Sequence, residues 1–327
     1  MERGFGGDPQ ISVLMPVYQA ERYLEEAVES ILAQSFDDFE LIALDDGSTD
    51  TSPRILSALG LRDDRVRVRR AEHIGLVGQL NRGIAEARGV FIARMDADDV
   101  AHPERLERQL AYLKAHPDCV AVGTGVDEVD PQRRIIRSLD IPTRHEEIES
   151  RLLQGDGGAL IHASALYRAD ALTSIGGYRE EFEFGEVIDL HLRLAERGRL
   201  ANLPDTLYEY RQNIDSVCFT RRLEVRRNQD ASVREALLRR GLDPESAPPR
   251  SPATPTPPLH AIWAIWANHA LVANHRDTAR HYALKAFRAA PHEHWKLPIR
   301  AWLGIRPFLW ARWRGSVKRL IGQAKPV

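Results

Sequence analysis

Apolar and polar positions follow two different periods in the first hundred residues. Ile11–Val17 and Phe39–Leu44 are almost continuously apolar, which is typical of strands buried on both faces of a sheet. Val66–Arg70 alternates apolar and basic residues and predicts an edge or more exposed strand, and Val90–Met95 supplies a fourth apolar segment. Between these runs, apolar residues recur at helical spacing, at Leu24, Ala27, Val28, Ile31 and Leu32 and again at Leu76, Leu80 and Ile84. The alternation predicts an α/β domain with a Rossmann-like, mostly parallel sheet flanked by helices.

The middle of the chain carries weaker patterns. Leucines between Pro103 and Pro117 recur every three or four residues and predict a helix that ends before the second proline. Residues 118–160 are less regular. Ala163–Ile175 and Val187–Arg197 have the spacing of helices.

Composition shifts along the chain predict its organisation. We expect a flexible N-terminus over residues 1–10, an α/β domain over 11–220 and a helix over 221–245. Prolines concentrate in 246–258 and predict an extended linker. Residues 259–327 are predicted to be helical, beginning with a helical hairpin and ending in a basic, Trp-rich tail.

Charge and cysteine content exclude several classes of protein. The 45 Lys and Arg residues and 47 Asp and Glu residues nearly cancel, which argues against a nucleic-acid binder with a general basic surface. Cys119 and Cys218 lie far apart, so neither a disulfide scaffold nor a structural zinc site is expected. The polar, Gly-rich N-terminus and the lack of any run near ~18 apolar residues predict a cytoplasmic protein.

A first acidic cluster, Asp45–Asp50, directly follows the second apolar strand. A carboxylate at such a strand end can accept hydrogen bonds from a base N–H or a ribose hydroxyl, and Gly47 permits a sharp turn. The alternative is a plain turn in which Asp50 caps the next helix.

A second acidic cluster, Asp96-Ala97-Asp98-Asp99, follows the fourth apolar segment. In an extended segment residues two apart point to one face, so Asp96 and Asp98 are expected to converge. Close carboxylates repel each other unless a cation lies between them, and oxygen ligands suit Mg²⁺ or Mn²⁺. A solvated acidic loop is the alternative. Taken together, the two clusters predict one ligand, with its nucleoside at Asp46 and its diphosphate held through a metal at Asp96 and Asp98.

A series of motifs extends this interpretation beyond the acidic clusters. The relevant stretches are Val13–Tyr18, Tyr23–Phe36, Phe39–Asp50, Gly75, Leu80–Gly83, Ala87–Gln109, His162–Arg168, Gly176–Tyr178, Asp189–Ala195 and Tyr210-Arg211. In these motifs and their order the chain resembles family-2 glycosyltransferases of the GT-A fold, across about residues 11 to 218. The resemblance implies an inverting enzyme that moves a sugar from a nucleotide diphosphate sugar, frequently a UDP-sugar, onto a hydroxyl, with Mg²⁺ or Mn²⁺.

The resemblance also assigns the donor pocket. Pro16, Val17 and Tyr18 would line the nucleoside site, Asp46 would contact the base, and Asp45 would lie beside it. A donor half would span 11–99 and an acceptor half 100–220.

The same comparison assigns the metal ligands. Asp96 and Asp98 correspond to the family's Asp-x-Asp pair, with Asp98 the direct metal ligand and Asp96 also on the nucleotide side. The acceptor would be a surface polysaccharide or a lipid-linked oligosaccharide.

The expected general base is where the chain departs from the family. The family usually has Glu-Asp at a position where this chain has Glu186-Val187, and valine cannot accept a proton. Glu186 and Asp189 are the remaining candidates. Glu186 could instead serve only the first turn of a helix, where a carboxylate is stabilised by the helix dipole. The substitution leaves open a rival function, a non-catalytic nucleotide-sugar-binding protein that has lost its base.

Three residues are candidates for the diphosphate or acceptor side. Arg211 follows the family pattern, Asn213 stands where a histidine is frequent, and His162 matches a frequent family histidine. A surface arginine and a packed histidine are the ordinary alternatives. A nucleotidyltransferase would also use paired aspartates, but the chain has no glycine-rich basic loop to hold a triphosphate.

The C-terminal segment 295–320 interleaves tryptophans with lysines and arginines. This composition suits the headgroup region of an anionic membrane and predicts peripheral contact at the inner face. The alternative is a helix that packs its tryptophans on the domain, and Pro298 and Pro307 break any long helix.

Overall fold

The computed structural model describes residues 7–214, 216, 220–246, 250 and 255–304. Its contacts divide the chain into two compact units. The first comprises residues 1–126 and 139–254, and the second comprises 127–138 and 255–327.

Strands and helices alternate through the first hundred residues, as the apolar pattern predicts. The strands are β1 (Ile11–Val17), β2 (Phe39–Asp45), β3 (Val66–Arg70), β4 (Phe91–Arg94), β5 (Val100–Ala101), β6 (Cys119–Val129), β7 (Ile135–Ser138), β8 (Leu166–Arg168) and β9 (Arg199–Arg211). The helices are α1 (Leu24–Leu32), α2 (Ser52–Arg62), α3 (Gly75–Glu86), α4 (Arg105–Ala115), α5 (His145–Leu153), α6 (Ala169–Ser174), α7 (Glu186–Ala195), α8 (Arg222–Arg239), α9 (Leu259–Val272), α10 (Arg276–Ala289), α11 (Pro291–His294) and α12 (Lys296–Leu303).

The sheet of the first unit has a parallel and an antiparallel part. Its strand order is β3-β2-β1-β4-β8-β6-β9-β5. β1 pairs in parallel with both β2 and β4, and β2 pairs in parallel with β3. β8 runs antiparallel to β4 and to β6, and β5 runs antiparallel to β9. The α/β fold class is therefore confirmed, and β3 is the edge strand that its alternating pattern predicts.

The central strands are buried on both faces, which explains their unbroken apolar runs. Val13 and Met15 of β1 lie in one core cluster with Leu24 and Ile31 of α1. Leu14 points to the opposite face, where it joins a second cluster with residues of α3, α7 and α8. A strand covered by helices on both faces has no polar side, so alternation disappears.

The helix predicted over Ala163–Ile175 is wrong in its first half. Ala163 lies in a short 3₁₀ turn, residues 166–168 form β8, and only 169–174 are helical. Tyr167 pairs with Ile92 on one side and Ala121 on the other, so sheet pairing overrides the local helical spacing. The helix expected between Pro103 and Pro117 is confirmed as α4.

The second unit holds a strand pair and a helical hairpin. β7 pairs with Asp127–Val129 at the end of β6, and α9 packs closely on α10 through an edge-on contact of Trp266 with Tyr282 at 4.9 Å. The Tyr282 hydroxyl donates to the buried carboxylate of Asp130 at 2.8 Å. The helical hairpin follows the expected pattern, whereas the strand pair was not predicted.

Several sequence expectations fall wholly or partly outside the described residues. These are residues 1–6 of the N-terminus, Cys218, most of the Pro-rich segment at 247–249 and 251–254, and the tail from 305 onward. In the described ranges no helix is both long and apolar enough to cross a bilayer.

Candidate active site

Asp45, the last residue of β2, and Asp46, in the turn after it, are both buried, whereas an exposed acidic cluster would leave them in solvent. Gly47 adopts a φ of 76°, the left-handed conformation expected at the turn. Asp45 is 1% exposed, accepts a hydrogen bond from the Ser48 N–H at 2.9 Å and faces the Arg70 guanidinium at 3.3 Å. The turn is therefore held by its own carboxylate.

Asp46 binds the segment that opens α3. Its Oδ1 accepts from the Ile74 N–H and the Gln79 amide, both at 2.8 Å, and its Oδ2 accepts from the Gly75 N–H at 3.1 Å. The His73 ring lies 2.8 Å from the same oxygen. Asp46 is only 4% exposed, so its carboxylate organises residues 73–79 around the end of β2.

An exposed aromatic surface lies beside this turn. Tyr18, directly after β1, is 54% exposed, and its ring lies 4.7 Å from that of His73 at an angle of 35°. Val17 is buried and contributes its carbonyl oxygen, which accepts from the Asp46 N–H at 2.9 Å. Pro16 is half-buried next to it. Tyr18 thus presents a flat apolar face to solvent at the carboxyl end of β1.

The second acidic cluster converges in a turn between β4 and β5. Carboxylate oxygens of Asp96, Asp98 and Asp99 all lie within 4.8 Å of one another. The predicted convergence of Asp96 and Asp98 is present, but it arises in a turn, because β4 ends at Arg94. Asp99 joins the group, which the two-residue alternation did not predict.

Burial and mutual repulsion alter the acidity of this cluster. Burial, and next the charge of Asp96, raise the pKa of Asp98 to about 6. Burial, and next the charge of Asp98, raise the pKa of Asp99 well above its ordinary value. Two neighbouring buried carboxylates with raised pKa values are stabilised when one of them takes a proton or when a cation binds between them.

Two residues of β9 anchor Asp99 from the antiparallel part of the sheet. The Tyr208 hydroxyl donates to Oδ2 of Asp99 at 2.8 Å, and the Arg211 backbone N–H donates to Oδ1 at 2.7 Å. The same hydroxyl accepts from the Asp96 N–H at 3.3 Å. The acidic loop is therefore fixed from both ends.

The Arg211 side chain is buried and engaged at the same loop. It is 4% exposed, donates to the Asp98 carbonyl at 2.6 Å, pairs with Glu26 of α1 at 2.6 Å and stacks over the Tyr23 ring at 4.3 Å. It is not a surface arginine. Asn213 follows two residues later, half-buried, with its carbonyl accepting from the Ser216 N–H at 3.1 Å.

Arg94, the last residue of β4, carries positive charge into this region. It is 3% exposed and pairs with Asp96 at 2.6 Å through Nη2. Its Nε and Nη1 atoms are buried and have no hydrogen-bond partner among the described residues. A buried guanidinium with two unused donors next to an acidic cluster is a site where an anionic or hydroxylated ligand group would be stabilised.

Glu186 begins α7 and is buried, with 7% of its surface exposed. Its Oε2 accepts from the Gly185 N–H at 2.9 Å. Burial raises the pKa of Glu186, while these backbone hydrogen bonds and the nearby charge of Arg94 oppose the shift and Asp96 adds to it. Glu186 is thus electrostatically coupled to the acidic loop, although the two lie far apart in sequence.

Asp189, one helical turn later, lies in a different environment. It is 1% exposed and accepts from two guanidinium groups, that of Arg193 at 2.6 and 2.9 Å and that of Arg179 at 3.1 Å and through a second, shorter contact. Both carboxylate oxygens of Asp189 are therefore already engaged by arginine side chains. The geometry favours a structural role for Asp189.

Asp189→Asn is expected to lower the free energy of unfolding by about 3 kcal/mol, because it leaves two arginines without their shared buried anion. Chemical denaturation of both proteins measures the difference. Glu180→Asn, at an exposed position of the preceding 3₁₀ turn, is the control and should change stability by less than about 0.5 kcal/mol. A stable Asp189→Asn protein without activity would contradict the structural role.

His162 lies in a buried polar network. Its Nε2 is 2.6 Å from the Tyr178 hydroxyl, and its ring makes an edge-on contact with His191 at 6.1 Å. Burial, and next the charge of Arg94, lower the pKa of His162 well below its ordinary value, so the ring is neutral at physiological pH. His191 in turn lies 2.8 Å from the Tyr167 hydroxyl. His162 is packed and is not solvent-facing.

Comparison with known proteins decides the family. The description "Glycosyl transferase family 2" matches residues 12–176, which include both acidic clusters and His162. The chain belongs to glycosyl transferase family 2. It is therefore a transferase.

Relatives of this family-2 glycosyltransferase include two bacterial proteins that are described as glycosyltransferases. The putative glycosyltransferase EpsE of Bacillus subtilis is 37% identical over 223 residues, covering 65% of this chain and 76% of its own. The O-antigen biosynthesis glycosyltransferase WbnJ of Escherichia coli is 32% identical over 206 residues, covering 62% of this chain and 79% of its own.

Solved structures share the GT-A fold with this glycosyltransferase. TarS residues 1–349 of S. aureus, in complex with UDP-GlcNAc, superpose with a TM-score of 0.57 at 16% identity, covering 90% of this chain and 88% of that one. The mannosyltransferase PcManGT of Pyrobaculum calidifontis, in complex with GDP-Man and Mn²⁺, gives 0.52 at 19% identity, covering 97% and 89%. At these identities the likeness extends to the fold alone.

The acidic loop of this glycosyltransferase fits a hard divalent cation. Its donors are carboxylate oxygens only, the ligands that Mg²⁺ and Mn²⁺ prefer. Burial, and next the charge of Asp96, raise the pKa of Asp98, and a bound cation would favour its charged form. The residues present therefore form a candidate site for a divalent metal ion.

Proposed function

We propose that the chain is a metal-dependent, inverting glycosyltransferase that moves a sugar from a nucleotide diphosphate sugar, preferentially a UDP-sugar, to a hydroxyl acceptor. The observation that carries the proposal is the acidic loop, where three carboxylates meet within 4.8 Å at the carboxyl end of β4. Ligands of α/β sheets bind at this edge, and the turn after β2 opens onto the same edge.

The nucleoside would occupy the surface beside β1 and β2. The exposed Tyr18 ring, beside that of His73, offers a stacking platform, and Pro16 and Val17 precede it in the chain. Asp46 would hold residues 73–79 in shape for the base, because its oxygens already accept hydrogen bonds from that segment. Asp45 would support the turn from below.

The diphosphate would lie at the acidic loop. Asp98, helped by Asp96, would hold Mg²⁺ or Mn²⁺, which when bound stabilises negative charge on the leaving diphosphate. Arg94, whose Nε and Nη1 are buried without a hydrogen-bond partner among the described residues, pairs with Asp96 of this loop, and Arg211 and Asn213 flank the loop from the antiparallel side. Positive charge and donors placed where charge develops lower the barrier to transfer.

Glu186 would be the general base. In an inverting transfer the acceptor oxygen forms a bond to the anomeric carbon, the bond from that carbon to the diphosphate oxygen breaks, and the acceptor proton must pass to a carboxylate. Glu186 is buried, coupled to Arg94 and Asp96, and has a raised pKa that suits a proton acceptor. Asp189 is occupied by two arginines and is the weaker candidate.

The acceptor would bind in the half formed by residues 100–220, with the donor in 11–99. We propose a surface polysaccharide or lipid-linked oligosaccharide as acceptor, because relatives such as WbnJ are described in O-antigen biosynthesis. The neutral ring of His162 would shape this side without carrying charge. Segment 295–320 would bring the enzyme to a membrane surface bearing such an acceptor.

The proposal is tested by incubating the protein with UDP-, GDP- and dTDP-sugars and measuring release of nucleoside diphosphate, including slow donor hydrolysis. We expect release with at least one UDP-sugar, abolition by EDTA and recovery with Mn²⁺ or Mg²⁺. Inversion at the anomeric carbon is read from the linkage of the isolated product by NMR. Release that is unaffected by EDTA would refute the metal role.

The second candidate, a nucleotide-sugar-binding protein without turnover, rests on Val187. It predicts saturable donor binding in calorimetry with no nucleoside diphosphate released on any acceptor. Donor binding and turnover are therefore measured on the same preparation, and only the combination of tight binding with no release favours this candidate.

A further inference from the structure

The second unit carries a cluster of metal-type ligands unrelated to the acidic loop. His260, the second residue of α9, faces Glu293 and His294 of α11. One ligand atom from each of the three lies within 4.8 Å of the others. His260 Nδ1 is 3.0 Å from His294 Nε2 and 3.8 Å from the Glu293 carboxylate. His260 is 33 positions before Glu293 and 34 before His294 along the chain, so the cluster depends on how α9 and α11 fold together.

The spacing of these atoms is close to that of a coordination sphere. With Zn–N bonds of about 2.0–2.1 Å, two imidazole nitrogens of a tetrahedral site are roughly 3.3 Å apart. The observed 3.0 Å between the two ring nitrogens needs only a small widening to admit an ion. The carboxylate at 3.8 Å can close on the same point, because Glu293 is exposed and its side chain is free to rotate.

The ligand set selects a different metal from the one expected at the acidic loop. Two imidazoles and one carboxylate suit Zn²⁺ and related transition ions, whereas Mg²⁺ and Ca²⁺ prefer oxygen ligands only. Three protein ligands at a partly exposed position leave a fourth place for water. The alternative is an ordinary hydrogen bond between two histidines, which would bind no ion.

We propose that His260, Glu293 and His294 form a Zn²⁺ site that ties the beginning of α9 to α11. The ion joins the two ends of the helical segment that spans the α9–α10 hairpin. Because a bound ion stabilises only the folded unit, it raises the stability of that unit by mass action. The site is independent of sugar transfer, and its failure would leave the proposed function untouched.

Zinc binding is measured on the full chain, with any affinity tag removed, by competition with a chromophoric chelator. Millimolar Mg²⁺ is present throughout to occupy the acidic loop. We expect one zinc ion per chain, and Co²⁺ in its place should give visible absorption bands of a nitrogen-ligated tetrahedral ion. The melting temperature should rise with zinc concentration.

Four variants separate this site from others. His260→Ala and His294→Ala should each weaken zinc binding by at least about tenfold, since even outer-shell changes cost 10–100-fold at metal sites. His292→Ala is the matched control, because His292 lies on the same short helix but outside the cluster, and its binding should stay unchanged. Asp98→Asn should also bind zinc normally. Equal affinity in all variants, loss in the Asp98 variant alone, or no binding by the unaltered chain would overturn the proposal.

Discussion

Asp98→Asn is expected to lower kcat/KM for sugar transfer by at least about a hundredfold, the effect of losing roughly 3 kcal/mol of transition-state stabilisation. Asparagine keeps the size of the side chain but removes the charge that would bind the cation. Asp98 is one of three carboxylates whose oxygens are within 4.8 Å of one another, and its loss leaves two to hold the cation. The measurement is release of nucleoside diphosphate over a range of Mn²⁺ concentrations.

The matched control is Asp64→Asn, which removes a carboxylate of the same kind from an exposed turn before β3. It should leave kcat/KM unchanged. Full activity of Asp98→Asn at ordinary Mn²⁺ concentrations would exclude the acidic loop as the metal site.

We also expect Asp98→Asn to change the pH dependence of stability in the metal-free protein. The folded-state pKa of Asp98, raised to about 6 by burial, means that the folded chain binds this proton more tightly than the unfolded chain does. Stability from this group is therefore full at low pH and is lost as pH rises from the ordinary aspartate value toward 6. Asp98→Asn should be at least as stable as the unaltered protein above pH 6, and this advantage should disappear near pH 4.

Glu186→Gln is expected to lower kcat by about 10²–10⁴, the usual contribution of a general base, with little change in donor affinity. Glutamine is nearly isosteric and can keep the hydrogen bond from the Gly185 N–H, but it cannot take the acceptor proton. Single-turnover rates and calorimetric donor binding separate the two effects. A parallel loss of donor affinity would show that Glu186 binds the donor instead.

The pH profile gives an independent check on Glu186. Because burial raises its pKa, the base is protonated over a wider range of acidic pH than an ordinary glutamate, and kcat should fall as pH drops through that raised value. Glu180→Gln, on the exposed 3₁₀ turn, should keep both rate and profile. Val187→Asp restores the carboxylate that the family carries there, and it should rescue transfer in the Glu186→Gln background if both positions face the acceptor.

The parallel half of the sheet was predictable because each of its strands is a local apolar run between amphipathic helices. The antiparallel half was not, because β6 contains glycine and acidic residues, and β8 is only three residues long. Tyr167 forms a strand because β4 and β6 lie on either side of it, which no local window contains. Contacts distant in sequence decide these elements.

The candidate site shows the same division. Asp45, Asp46, Asp96 and Asp98 were predicted as site residues from their positions at strand ends, and the structure places them at the end of β2 and in the turns after β2 and β4. Tyr208 and Gln79 were missed because they reach the site from separate elements, and Arg94 was missed because its apolar strand hid the charge two residues before Asp96. Asp99 directly follows Asp98 in the sequence, which was a signal for it. It was left out because in an extended segment neighbouring residues point to opposite faces. His191 gave no signal, since a single histidine on a helix is usually a packing residue.

The anchoring of Asp99 by Tyr208 and Arg211 bears on how fast the enzyme can take up its donor. Like charges in the loop are brought together during folding, and the hydroxyl and amide of β9 hold them there. The proposed cation and donor would then meet a loop that is already ordered by these contacts, so little of their association energy would be consumed in ordering it. Uptake should accordingly be a single fast phase in stopped-flow experiments, and Tyr208→Phe should add a slow one.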